Sequence, residues 1–247
     1  VAVEIGGDDE AKKVVLVKAE KIVICAGASE NVVRFKGWTL PGVMGAGAAQ
    51  TMVNVNRVLP GKRVLMVGTG NVGLIVSYQL MQGGADVAAL VDVAPGIGGY
   101  AVHASKIARA GVPILTRHTV LEARGEERVE QAVIVEVDDD FRPIPGTEQT
   151  IDCDTIAIGA GLKPVAELAA MYGCEMYFNP VQGGWVPLHN RSMETSKEGI
   201  YVAGDITGVE EANTALEEGR LAGIDAAAKL RYITEAEAAE EQKEVWE

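Results

Sequence analysis

Arg63-Val-Leu-Met-Val67 runs straight into Gly68-Thr-Gly70-Asn-Val-Gly73, and a helical pattern follows over 71–82. A Gly-x-Gly-x-x-Gly alone is a weak signal; strand, glycines and helix in that order make a strong one. Gly68 permits the tight turn. Gly70 lets the backbone approach a pyrophosphate with no Cβ in the way, and Gly73 lets helix and strand pack closely. The amides that open the helix, including those of Asn71 and Val72, lack partners inside it, and the helix dipole favours an anion there. The competing reading is a glycine-rich turn with a purely structural role. The next strand ends at Asp92, 19 residues beyond Gly73. A carboxylate there can accept hydrogen bonds from ribose hydroxyls and repels a 2′-phosphate. No Arg or Lys occurs over 93–105 to receive that phosphate, so NAD is expected rather than NADP. The alternative for Asp92 is an exposed acid at a strand end.

Outward from this turn, the chain reads as short apolar strands alternating with helices. Strands are expected over 14–18, 22–25, 63–67, 87–91, 112–116 and 155–158, with helices over 45–57, 71–82 and 101–110. The stretches 120–123 and 129–137 resemble strands of a meander, and Gly83-Gly84 supplies a helix stop. Alternation of this kind predicts an α/β fold, a parallel sheet with helices on both faces. Residues 233–247, rich in Ala and Glu, read as a solvated helical tail.

Composition narrows the possibilities. The 247 residues carry 22 Lys and Arg against 35 Asp and Glu, a net charge of −13, which argues against nucleic acid or anionic lipid as a partner. No apolar run is long enough for a membrane span. Cys25, Cys153 and Cys174 form no Cys-x-x-Cys pair, so no zinc site, no iron–sulfur cluster held by this chain alone and no redox disulfide is expected. An odd count without framework spacing fits a reducing compartment, and a cytoplasmic location is expected. The first residue is Val rather than Met, so a fragment or a processed subunit is one reading.

One internal repeat stands out. Glu20-x-Ile22-x-Ile24-x-Ala26-Gly27 matches Asp154-x-Ile156-x-Ile158-x-Ala160-Gly161. It is either chance similarity of two buried strands or the trace of two nucleotide-binding domains. In the second copy Gly68 precedes Gly161 by 93 residues, whereas only 26 residues precede Gly27. If the copies are equivalent, the first lacks its own glycine loop within this chain. A further strand, Gly199-Ile-Tyr-Val-Ala-Gly204-Asp205, stops abruptly at Gly-Asp before a helix of small residues that opens near Glu211 and Ala212. Such a turn sets a carboxylate in the ligand crevice of an open sheet, and a helix N-terminus stabilises negative charge. Read alone, it is equally a buried strand with an Asp turn.

Together these pieces resemble the pyridine nucleotide–disulfide oxidoreductases in the wide sense, flavoproteins with two dinucleotide-binding domains. Ala26-Gly27 resembles the strand end that closes the first part of the FAD domain. Gly68 to Asp92 resembles the NAD fingerprint, Gly199 to Asp205 resembles the late FAD motif, and Gly161 is counted with the cofactor-binding residues. Gly37-Trp-Thr-Leu-Pro-Gly42, Gly183-Gly-Trp-Val-Pro187 and Gly219-Arg-Leu-Ala-Gly223 resemble one branch, the flavoprotein subunits of amine and amino-acid dehydrogenases. That branch includes the alpha subunits of heteromeric sarcosine oxidase, opine oxidase and dye-linked proline dehydrogenase, and a subunit of hydrogen cyanide synthase.

The resemblance implies two Rossmann-like three-layer domains, the NAD domain inserted in a truncated FAD domain. The expected division is 1–59 and 165–232 for the two parts of the FAD domain, 60–164 for the NAD domain, and 233–247 for the acidic tail. It implies hydride transfer between NAD(H) and FAD, linked to oxidation of an amine or amino acid. Asp205 would contact the ribityl and pyrophosphate region of FAD, and Ala212 would let the opening of its helix approach the flavin. Because the FAD glycine loop is absent from the chain, another subunit or an N-terminal segment would complete that site. The missing Cys-x-x-Cys removes the disulfide-reductase reaction. Two other readings stay open: an NADH-dependent reductase serving a protein or quinone acceptor, and a non-catalytic NAD-binding fragment. No acid–base residue is assigned. His103 and His118 read as bland, His189 as a histidine that could face a ligand, and Cys25 as a small buried filler.

Overall fold

A computed structural model describes residues 2–5 and 13–247, of which 2–5, 13 and 14 are described by backbone alone. Residues 1 and 6–12, assigned above to the first domain, lie outside the described residues. The chain divides into two compact units, 1–29 with 162–247, and 30–161.

The first unit opens with an antiparallel pair, β1 (Ala2–Ile5) and β2 (Lys13–Leu16), followed by β3 (Ile22–Ile24) and β4 (Ala28–Glu30).

In the second unit, β5 (Val43–Gly45), β6 (Arg63–Val67), β7 (Asp86–Asp92), β8 (Ile114–Thr116) and β12 (Thr155–Ile158) form one sheet in the order β5-β12-β6-β7-β8. Every pairing in it is parallel. Strand side chains alternate between faces, and the alternation sorts two cores. Val64 and Met66 face α1 (Ala46–Thr51), α2 (Asn71–Gln82) and α3 (Ala101–Arg109), packing with Ala49, Leu74, Leu80 and Ile107. Leu65 and Val67 face an antiparallel meander of β9 (His118–Arg124), β10 (Gln131–Glu136) and β11 (Gln149–Asp152), packing with Val120, Ala132 and Ile134.

This corrects the expectation of helices on both faces: one face carries helices and the other the meander. Residues 118–152 hold three short strands, and Asp138-Asp-Asp-Phe141 makes a tight turn in which the Asp138 carboxylate accepts the amides of Asp140 and Arg142. Such a segment covers a sheet without a helix. The boundaries move as well. Residues 30–59 cluster with 60–161 rather than with the first domain, because β5 hydrogen-bonds to β12 and Ala46 and Ala49 are fully buried in the helix-side core. The helix expected over 45–57 is α1 plus a π-helical turn over Met52–Asn56, ended by Arg57 in left-handed conformation.

The first unit resumes with β13 (Leu162–Pro164), α4 (Glu167–Met171), the antiparallel pair β14 (Met176–Asn179) and β15 (Gly184–Pro187), β16 (Ile200–Val202), α5 (Ala212–Lys229) and α6 (Glu235–Trp246). β16 pairs in parallel with β3. Ile200 and Val202 pack with Ile24, Ala166 and Ala169, whereas Tyr201 packs the other way against Leu221 and Ala222 of α5. The acidic tail is a docked helix rather than a solvated one. Thr234 and Glu237 form a capping box at its start, Ala238 is buried, and Val245 packs against the Tyr201 cluster. Gln242 also hydrogen-bonds to Ser192, and Arg191 lies over the Trp246 ring, 4.6 Å from its centroid.

Candidate functional site

The glycine turn lies at the carboxyl end of the parallel sheet, where β6 connects to one side and β12 lies on the other. In open α/β sheets such a switch point forms the ligand crevice. Here it is a cleft of about 350 Å³, lined by Gly68, Gly70, Asp92, Val93, His118 and Gly159–Gly161 among others. The three glycines are needed for different reasons. Gly68 has φ +108°, and a Cβ on it would stand 2.2 Å from the Gly159 carbonyl oxygen. A Cβ on Gly73 would stand 2.1 Å from the Gly68 oxygen. A Cβ on Gly70 would meet no protein atom within 4 Å. The first two are demanded by the fold; the third leaves open the space before the helix N-terminus.

Asp92 is more occupied than the sequence implies. Its Oδ2 accepts the Thr69 amide (2.7 Å) and hydroxyl (2.8 Å), and its Oδ1 accepts the Ala94 amide (2.9 Å). The carboxylate therefore holds the glycine turn and the loop after β7 together, with acceptor capacity left mainly on Oδ1. Asn71 is also engaged, its Oδ1 accepting the Tyr100 amide (2.8 Å). That bond and the Gly99 amide to the Thr69 carbonyl (2.9 Å) lay the 93–100 loop across the turn. Val72 is 37% exposed on the first turn of α2.

His118 is the residue that sequence reasoning passed over. It follows Arg117, whose φ of +55° makes a sharp corner between β8 and β9. Its Nδ1 donates to the Thr116 carbonyl (2.8 Å), and its Nε2 is buried without a hydrogen-bond partner. A histidine at a strand junction carries no one-dimensional signal; only the corner brings it to the cleft.

The first unit groups the other expected residues. β3 runs toward Ala26-Gly27 and the neighbouring parallel β16 toward Gly204-Asp205, so both turns lie at the carboxyl ends of their strands. Gly27 and Gly204 have φ of +73° and +78°. Ala212 is the exposed first residue of α5. Glu218, unremarked in the sequence, ties the second turn down: it accepts the Gly204 amide (2.7 Å) and lies 2.9 Å from the Thr207 hydroxyl. Burial pushes its carboxyl above the ordinary range, outweighing those two hydrogen bonds. Cys25, expected to be buried, is exposed, because the strand ends one residue before it. His103 lies in α3, its ring centroid 6.3 Å from that of Tyr100, and the His189 Nδ1 is 3.0 Å from the Asn190 carbonyl. Among the described residues no cluster of His, Cys, Asp or Glu could hold a metal ion, and no helix is long and apolar enough to cross a membrane.

The fold overlays on T. acidophilum thioredoxin reductase with a TM-score of 0.68 at 19% identity, covering 92% of this chain and 69% of that one.

The chain belongs to the pyridine nucleotide-disulphide oxidoreductase family, whose pattern matches residues 4–219. Members of that family are oxidoreductases that use FAD and a pyridine nucleotide. Among characterised relatives, an opine oxidase subunit of Agrobacterium tumefaciens (strain Ach5) is 29% identical over 228 residues, 89% of this chain and 45% of the relative. The HcnB subunit of hydrogen cyanide synthase from Pseudomonas aeruginosa is 26% identical over 264 residues, 97% of this chain and 56% of the relative. The chain thus spans about half the length of these relatives.

Proposed function

We propose that this chain forms part of a flavoprotein oxidoreductase that passes hydride between NAD(H) and FAD, linked to oxidation of an amine or amino acid. The reading rests above all on the turn at 68–73, where Gly68 and Gly73 are closed in by backbone while Gly70 opens onto a cleft at the sheet's switch point. In it, the first turn of α2 and the backbone at Gly70 bind the diphosphate of the dinucleotide. Asp92 holds the turn in shape and uses its free Oδ1 capacity for one adenosine ribose hydroxyl. Its negative charge disfavours NADPH. Flavin and nicotinamide supply the redox chemistry; the chain supplies position and field. Gly204, Asp205 and the opening of α5 at Ala212 approach the flavin, with Glu218 positioning the turn.

The flavin half is completed by a glycine-turn βα unit outside residues 1–247, added as a parallel strand to the free edge of β3. The repeat supports this. Ile22 and Ile24 pair with Ile200 and Val202, in the register by which Ile156 and Ile158 pair with Val43 and Gly45. On its other edge β12 pairs with β6, the strand that leads into Gly68, whereas β3 has no second partner among the described residues. An apolar groove lined by Val23, Ile24, Leu168 and Tyr172 runs beside that edge. The relatives are about twice as long as this chain and are subunits by name, in keeping with a partner polypeptide or further segment.

The exclusion of disulfide reduction expected from the missing Cys-x-x-Cys does not carry to the whole protein, because the fold is shared with a thioredoxin reductase and this chain spans about half the length of its relatives. Cys153 and Cys174 are buried and Cys25 is exposed, with no paired partner. Three unpaired cysteines also fit a protein working in the reducing cytoplasm.

Fluorescence titration of the chain with NADH and NADPH tests the nucleotide site: NADH binds, and NADPH at least tenfold more weakly. Equal binding overturns the role of Asp92, and no binding of either overturns the dinucleotide reading. Absorbance near 450 nm of the chain purified alone and with its full reading frame or partner polypeptide tests the flavin site: flavin is retained only in the larger assembly. Turnover with amines or amino acids then separates the proposed reaction from NADH oxidation by a quinone or protein acceptor.

A further inference from the structure

The Gly204 turn of the first unit holds more acceptors than protons. The Thr207 hydroxyl oxygen lies 2.9 Å from the Gly204 carbonyl oxygen, and 2.9 and 3.0 Å from Oε2 and Oε1 of Glu218. A hydroxyl has one proton to give, and a carbonyl or an ionised carboxylate only accepts. With Glu218 ionised, one proton serves three acceptor oxygens around a residue that is 3% exposed. One further proton satisfies them all. Oε1 of Glu218 then donates to the Thr207 hydroxyl, Thr207 donates to the Gly204 carbonyl, and the Gly204 amide donates to Oε2 (2.7 Å). These bonds close a ring between the turn and α5, and every atom of the ring is already in place.

We propose that Glu218 serves the flavin end of this unit as a neutral acid: its proton closes the ring that holds the Gly204-Asp205 turn, and a bound dinucleotide diphosphate keeps that proton there. This rests on the flavin reading above and adds to it a proton linked to cofactor binding. When Glu218 is ionised beforehand, binding takes one proton from solvent onto Oε1; when it is neutral, none moves. Charge supplies the reason. Asp205 in the turn and Glu210 ahead of α5 are acidic already, and an ionised Glu218 would add a third negative charge beside an anionic ligand. Among the groups that face Glu218, Glu210 favours the neutral form and His189, after β15, favours the ionised one. The Cys25 thiol at the end of β3 is held uncharged, and Arg220 of α5 is paired with Glu217 (2.9 Å). Burial is the largest influence on the Glu218 carboxyl and acts with Glu210.

Carbon NMR of the chain labelled at its glutamate carboxyls reads the proton directly. One glutamate should titrate above the ordinary range, and its signal should be missing from Glu218→Gln. If no glutamate of the wild-type chain titrates above that range, the proposal is overturned without need of a variant. Glu218→Gln tests the ring, because its amide nitrogen donates to Thr207 and its oxygen accepts the Gly204 amide, copying the neutral form at every pH. A raised native carboxyl pKa stabilises the fold below the unfolded value of about 4.3, and the gain is lost as pH rises through the native value. The wild-type melting temperature should therefore fall relative to that of Glu218→Gln as pH rises from about 5 to about 8; parallel curves overturn the ring. FAD titration of the full reading frame or partner assembly tests the coupling. Wild-type affinity should fall with pH more steeply than that of Glu218→Gln, by at most about tenfold per pH unit, the limit for one linked proton. Equal slopes overturn the coupling. An assembly that binds no FAD overturns the flavin reading and the coupling together, while the NMR titration judges the ring by itself.

Discussion

Replacing Gly70 by alanine should separate ligand binding from folding. Gly70 is the N-cap of α2, at φ −67° and ψ 176°, a conformation alanine adopts without strain. Its added methyl would meet no protein atom within 4 Å. Alanine is a poorer N-cap than glycine, a loss of up to ~1 kcal/mol, but it restricts the unfolded chain by about 0.4–1 kcal/mol in the other direction. The two nearly offset, so the melting temperature should stay within about 4 °C of wild type. Binding is different, because the methyl enters the space before the helix N-terminus where a diphosphate oxygen would meet the amides. Losing one hydrogen bond to a charged group costs about 1.5–3 kcal/mol, which weakens NADH roughly 10- to 150-fold. Gly68→Ala provides the contrast: at φ +108° and 2.2 Å from the Gly159 oxygen, its methyl should cost the fold ~2–5 kcal/mol. Thermal melts and NADH titrations of both variants check the pair. A Gly70→Ala protein that melts normally and binds NADH with wild-type affinity would refute the reasoning.

Three further outcomes follow from the geometry. Asp92→Asn cannot accept from Thr69 and Ala94 on both sides at once, so it should lose ~1–3 kcal/mol of stability and bind NADH more weakly; an unchanged melt would show that the carboxylate does not hold the turn. Burial acts upward on the Asp154 carboxyl, but the Lys62 and Arg63 amides and the Thr155 hydroxyl outweigh it and hold the group below its ordinary range. A depressed native pKa stabilises at pH above the unfolded value of about 3.9 and the gain is lost as pH falls through the native value. Acid titration of the melting temperature should therefore show a smaller decline in Asp154→Asn than in wild type, and parallel curves would count against the clamp. Burial pushes the Cys153 thiol up to about 12, Cys174 is also buried, and Cys25 alone is exposed, its thiol raised by partial burial and by Glu218. A disulfide reagent at pH 8 should label one cysteine slowly in the native protein and three in denaturant; rapid labelling of two would contradict the burial.

The glycine turn was legible because its signal is local: a strand, three glycines and a helix must follow one another directly, and each glycine has a steric reason that sequence order preserves. The strand repeat ending at Gly27 and Gly161 was legible too, since both copies use the same alternation, and each copy pairs in parallel with a neighbour in the same register. What covers the second face of the parallel sheet was not legible, because a meander and a layer of helices bury the same Leu65 and Val67. Nor was the role of residues 30–59, where a three-residue strand is fixed by its partner β12, whose paired residues lie 113 positions further along the chain.

From sequence alone come the strand-turn-helix cradle, the acid that ends the next strand and the family to which both point, because backbone sterics and residue spacing are properties of neighbouring residues. Tertiary structure decided which polar atoms are already taken and which are left over. Asp92 proves to be largely engaged by Thr69 and Ala94, Glu218 reaches across from α5 to the Gly204 turn, and the His118 Nε2 is buried without a partner. Hydrogen-bond satisfaction depends on groups distant in the chain, so no reading of spacing could have settled it.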